Sequence, residues 1–222
     1  RDRGRHIHTG WGSVLNILLT VVVLAHAVVL FTFPLFDIAL TPWTVTALLL
    51  STFLLANVHW GLVHDACHGS LFHSKTANNM VGRFLSVVLF YSFEGMRLGH
   101  LLHHRYSRTP LDRPDHAAAN CSRLRSTVGY YCQILGGDYL SKVSTIFASI
   151  LPLRAVPWWM KTLFGEKSMQ YEIGKQLKKN SALHTTAVIE HAIIALELSL
   201  LCLLYQDFLW MVVAIFIVRA LP

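Results

Sequence analysis

The 222-residue chain is 54% hydrophobic and only 14% charged, with a net charge of +7 and a mean hydropathy of +0.47. Soluble domains carry about 25% charged residues, so the composition excludes an ordinary soluble globule and predicts an all-α integral membrane protein. Fifteen of the 19 Lys and Arg residues, but only seven of the 12 acidic ones, fall between His64 and Ser181; that bias suits a cytoplasmic, headgroup-facing surface, and without an interleaved basic–aromatic motif it does not suit nucleic acid.

In chain order, the first predicted span is "VLNILLTVVVLAHAVVLFTF", about residues 14–33, the length that crosses a hydrocarbon core. It is too long for the apolar part of a signal peptide. "PLFDIALTPW" then makes a proline-bounded turn, and a second span over about 44–63 completes a hairpin. Residues 64–181 form a mixed, helical, cytoplasmic segment. Within it, "NNMVGRFLSVVLFYSFEGM" and "YLSKVSTIFASILPLRAVPWWM" are apolar enough to touch the membrane, the second as an interfacial or re-entrant stretch. A third span covers about 182–205 and a fourth begins at 208; its apolar run reaches Pro222 at a length marginal for crossing. The expected architecture is therefore a single membrane domain over 1–222. Two transmembrane hairpins, about four spans with the last apparently truncated, flank the cytoplasmic segment, and the N-terminus lies on the cytoplasmic side. The four cysteines, Cys67, Cys121, Cys132 and Cys202, form no CxxC pair, which fits a reducing compartment better than a disulfide framework.

The chemistry concentrates where the second span ends. "HDACHGSLFH" places His64 and His68 four residues apart, and "GHLLHHRYSRTPLDRPD" adds His100, His103 and His104 at offsets of three and four. On helices these spacings bring each group onto one face. Imidazole suits iron, zinc, copper or nickel. A solvated histidine face is the other reading, but seven of the 13 histidines fall between His59 and His104, a density favouring metal binding. Asp65, Asp112 and Asp115 are the nearest carboxylates and candidate orienters of the rings. Cys67, between two of the ligands, is expected to pack. His26 reads as a packing or helix–helix bonding residue, His59 and His73 as flanking residues, and His116, His6 and His8 as ordinary surface. On the third span, His184, Glu190, His191 and Glu197 are ionisable residues inside a membrane helix; His191 is a further ligand candidate.

These motifs resemble the membrane fatty acid desaturase superfamily: "HDACHGSLF", then Ser74, Asn79 and Gly82 in "SKTANNMVGR", then "GHLLHHRYSRTPLDRPD". The resemblance covers roughly Val58 to Asp115 by motif and the remainder by hydropathy layout. In that family, boxes of the form HxxxH, HxxHH and a later HxxHH or QxxHH hold two iron ions. The resemblance thus implies that His64, His68, His100, His103 and His104 are iron ligands, with zinc a possible substitute in a purified sample. The third box is expected beyond the last span and is not found before Pro222, which reads as a chain incomplete at its C-terminus; a degenerate, non-catalytic relative is the alternative.

What the resemblance implies for activity is desaturation of a fatty acyl chain in the bilayer. Dioxygen and an electron donor such as a ferredoxin or a cytochrome b5-type protein would be consumed. Hydroxylase or carotenoid-ketolase chemistry is the alternative within the superfamily, since "HDACHGS" and "GHLLHHR" also look like the ketolase branch. A metal transporter or sensor is disfavoured, because such sites lie near the bilayer midplane. A non-catalytic, metal-binding scaffold remains the reading from another class. The substrate-binding residues are not legible.

Overall fold

The structure, a computed structural model, describes residues 10–36, 38–111, 122–132 and 138–220. Among them are ten α-helices and no strand: α1 Gly10–Thr32, α2 Pro42–His68, α3 Lys75–Val88, α4 Phe93–Tyr106, α5 Arg123–Cys132, α6 Asp138–Ile150, α7 Val156–Phe164, α8 Met169–Lys179, α9 Ser181–Leu204 and α10 Leu209–Ala220. Three stretches are long and apolar enough to cross a membrane: Ser13–Phe36, Pro42–His68 and Ser181–Leu204. They coincide with the first three predicted spans. α10 has 12 residues, fewer than the roughly 20 that a crossing helix needs.

The helices group into two compact units, one drawn from Arg1–Phe93 with Ala192–Pro222 and the other from Glu94–His191. In the first, α2 packs against α1, α3 and α10. Its core includes Leu30, Leu48, Ile194, Tyr205 and Met211. The turn before α2 is built by Thr41, whose hydroxyl accepts the Thr44 N–H, and by Pro42 at the first helical position, where a missing N–H costs nothing.

His26, His59, Arg219 and Tyr205 of this unit find partners on neighbouring elements, one way apolar bundles tolerate polar groups. His26 bonds the Ser51 hydroxyl on α2 at 3.0 Å, the helix–helix role its position predicts. His59 Nε2 donates to the Leu85 carbonyl at 2.8 Å. His59, which flanks the first box in sequence, is thus a buried tie between α2 and α3. Arg219, 3% exposed, donates to the Val88 carbonyl and lies 5.1 Å from the Phe31 ring centroid. His59 and Arg219 therefore both meet the carbonyl end of α3, where the helix carries partial negative charge. Tyr205 donates to the Leu30 carbonyl at 2.6 Å.

The second unit is built around Leu102, Ala148, Val156, Met160, Ile173 and Leu177. α7 and α8 make its closest pair, and Gly174 permits it: a Cβ there would stand 3.2 Å from both Met160 and Pro157. Leu98, Leu102 and Tyr106 of α4 enter this core. Their four-residue spacing makes one apolar stripe, which leaves His100, His103 and His104 on the rest of the helix surface.

Candidate functional site

The first histidine pair lies on the last turns of α2, not in the segment after it. Hydropathy falls at His64 and Asp65, yet the helix runs on to His68 and stops there for a local reason. Gly69 adopts a left-handed conformation (φ 71°), its N–H bonds the Ala66 carbonyl at 3.0 Å, and the Ser70 N–H reaches back to Asp65 at 2.9 Å. These two bonds make the glycine-dependent helix stop of the Schellman type.

His64 and His68 are exposed, with ring centroids 4.7 Å apart. Asp65 Oδ1 stands 3.4 Å from His64 Nδ1, within reach of the ring it was expected to orient. Cys67, between the two histidines, is buried, in keeping with its expected packing role. His73 is exposed.

The segment after the pair is held from three sides. Asn16 on α1 donates to the Leu71 carbonyl at 2.9 Å. Ser74 caps α3 by accepting the Ala77 N–H. Asn78, 1% exposed, accepts the Phe72 N–H at 3.0 Å and donates to the carbonyls of Phe72 and Ser74. Sequence reading singled out Asn79, but the residue that clamps this turn is its neighbour. Gly82 has a packing reason: a Cβ there would lie 2.6 Å from the Phe93 ring and 2.8 Å from the Ala66 methyl. Ala66 is the middle of "HDACH", so α3 rests against the helical turn that carries the pair.

The second group lies on α4. His100 and His104 approach to 3.0 Å between their Nε2 atoms, and His103 lies 6.3 Å from His100 and 5.7 Å from His104 by ring centroid. Two imidazole nitrogens bound to one transition metal at about 2.0–2.1 Å stand roughly 2.8–3.4 Å apart for right-angle to tetrahedral coordination. The His100–His104 separation fits that requirement, and the all-imidazole donor set suits iron or zinc. The residues present thus fit a metal.

His191 is buried and its Nδ1–H donates to the Ala187 carbonyl of its own helix at 2.8 Å. Glu190 is also buried, and its Oε2 accepts the backbone N–H of Glu94. Glu197 lines an apolar cavity of about 380 Å3 between α1, α3 and α9 of the first unit, with Leu24, Phe31, Phe84 and Leu200 among its other walls. Asp112, Asp115 and His116, together with Cys121, His6 and His8, lie outside the described residues.

The described residues, all helical where they form elements, with three helices long and apolar enough to cross a membrane and two histidine groups each gathered on one helix, have the layout of a membrane protein with a candidate metal site. The chain matches the family model described as fatty acid desaturase over residues 38–221, and it belongs to that family. No curated protein and no solved structure matches it.

Proposed function

We propose that this protein is a membrane-bound oxidoreductase that desaturates a fatty acyl chain with dioxygen and two electrons from a donor protein. The 3.0 Å approach of His100 and His104 is the observation that carries the metal, and membership of the family carries the chemistry. In this reading His64, His68, His100, His103 and His104 hold two iron ions, both units being parts of one catalytic domain. Asp65 steadies the His64 ring through Nδ1, and Asp112 and Asp115 serve the other rings. His191, whose Nδ1–H is held by the Ala187 carbonyl, keeps Nε2 for a metal, the arrangement of a ligating histidine, and is the further ligand candidate. Non-haem iron held by such ligands supplies the electron-transfer and dioxygen chemistry that side chains lack.

The stoichiometry is one CH2–CH2 unit, O2, two electrons and two protons giving CH=CH and two waters. The protein's own part is to hold five imidazoles in place and to keep the acyl chain out of water. The apolar cavity between α1, α3 and α9 is a lining of the right chemistry for such a chain. The excess of Lys and Arg over residues 64–181 supports a cytoplasmic location for that segment and the N-terminus, where an electron donor of ferredoxin or cytochrome b5 type can reach the histidines. α10 is read as part of a fourth span.

The test is expression in a membrane host that supplies such a donor, with a deuterated fatty acid and oxygen-18 gas, and mass analysis of the lipids. A product lacking two hydrogens and carrying no label from the gas is expected. A product containing oxygen-18 would move the protein to the hydroxylase or ketolase branch. No change in any lipid, with two irons bound per chain, would overturn the catalytic reading.

A further inference from the structure

Glu190 is 3% exposed and belongs to α9, one of the helices suited to crossing a membrane. A buried carboxylate is costly unless donors or positive charge meet it. Its Oε2 accepts the backbone N–H of Glu94 at 3.1 Å, from 96 positions away in the sequence. Glu94 stands in the first turn of α4, where four N–H groups have no acceptor within the helix and partial positive charge gathers. Glu190 therefore acts as an N-terminal cap supplied by another helix. The same α4 carries His100, His103 and His104, six to ten residues further on, or about 9–15 Å along the axis at 1.5 Å per residue. Apolar packing of Leu98, Leu102 and Tyr106 holds one face of α4, and the Glu190 bond adds a directed constraint at its start.

We propose that Glu190 is a positioning residue for the second histidine group, fixing the start of α4 and through it the height of the three imidazoles. The consequence for metal binding rests on the reading of these histidines as ligands; the capping contact itself does not. Two conservative variants separate reach from charge. Glu190→Gln keeps an acceptor oxygen at the same reach and loses the charge, whereas Glu190→Asp keeps the charge and withdraws the oxygen by one methylene.

The whole chain, purified in lipid nanodiscs, is followed by two measurements. The first is amide hydrogen exchange by mass spectrometry over the start of α4 and over His100–His104. The second is cobalt(II) titration read by the ligand-field absorption of the metal. Glu190→Asp is expected to speed exchange at the start of α4 and to weaken cobalt binding, each by about tenfold. Glu190→Gln is expected to stay within about threefold of the parent in both. A general loss of stability would instead lower the number of sites titrated and leave their affinity unchanged. Parent-like Glu190→Asp with impaired Glu190→Gln would overturn the proposal, because the carboxylate would then act through its charge. Faster exchange with unchanged cobalt affinity would also overturn it. If the parent protein binds neither cobalt nor iron, the metal reading falls. The exchange of the His100–His104 stretch then decides, and an unchanged rate in Glu190→Asp overturns the positioning role.

Discussion

His68 and Gly69 are neighbours with different tasks, one a proposed metal ligand and the other the residue that ends the helix carrying it. The first task is legible from the four-residue spacing of His64 and His68; the second needs the φ of 71° and two backward hydrogen bonds. Replacing His64, His68, His100 or His104 by Ala is expected to remove most bound metal and to cut activity by about 100-fold or more, checked by elemental analysis beside product formation. His73→Ala, at an exposed position of the turn after the pair, should keep both; metal loss there would redraw the ligand set. Asn78 shows where residue-level reading stops. Nothing in "TANNMVG" says which asparagine turns inward, because two adjacent asparagines differ only in the helical face they occupy. Asn78→Ala would strand the Phe72 N–H and the Phe72 carbonyl, while the Ser74 carbonyl keeps the backbone N–H of residue 78, a cost of about 2–3 kcal/mol. A melting temperature in detergent within a degree of the parent would refute that estimate.

Among the elements, α3 depends most on a single position. Its contact with α2 passes through Gly82, with the Phe93 ring and the Ala66 methyl both inside 3 Å of a would-be Cβ. Gly82→Val is therefore expected to push α3 off the turn bearing His64 and His68, lowering thermal stability and metal content together. Retention of full metal content in that variant would show that α3 does not support the pair. Gly69→Ala forces a side chain into the left-handed region at about 1 kcal/mol, and Gly69→Asn costs less. The end of α2 escaped the sequence because hydropathy reports what lipid tolerates, whereas helix length is set by where hydrogen bonding stops. α3 and α4 are each only 14 residues long, short of the roughly 20 apolar residues by which hydropathy delimits a span.

For the whole molecule, the first three spans were readable to within a few residues, since crossing length and apolar composition are properties of the chain itself. The grouping of helices into two units was not, because it depends on contacts such as Gly174 against Pro157 and Tyr205 against Leu30 that no local pattern announces. Topology is open to direct measurement. In a chain stripped of its other cysteines, Cys132, exposed on α5, should react with an impermeant maleimide only from the cytoplasmic face. Ile38→Cys, exposed in the turn between the first two spans, should react only from the opposite face. Labelling of both from one side would reverse the hairpin reading.

The 27 residues of α2 extend about 40 Å at 1.5 Å each, whereas the hydrocarbon layer is about 30 Å thick. The helix thus works as a ruler, with His64 and His68 at its graduated end. One residue inserted within α2 before His64 would raise the pair by about 1.5 Å and swing it through about 100°. The length of α2 should accordingly resist change while residues 38–41 accept it. Because tilt and mismatch set how far such a helix protrudes, lipids of longer or shorter chain would themselves tune the height of the pair above the bilayer.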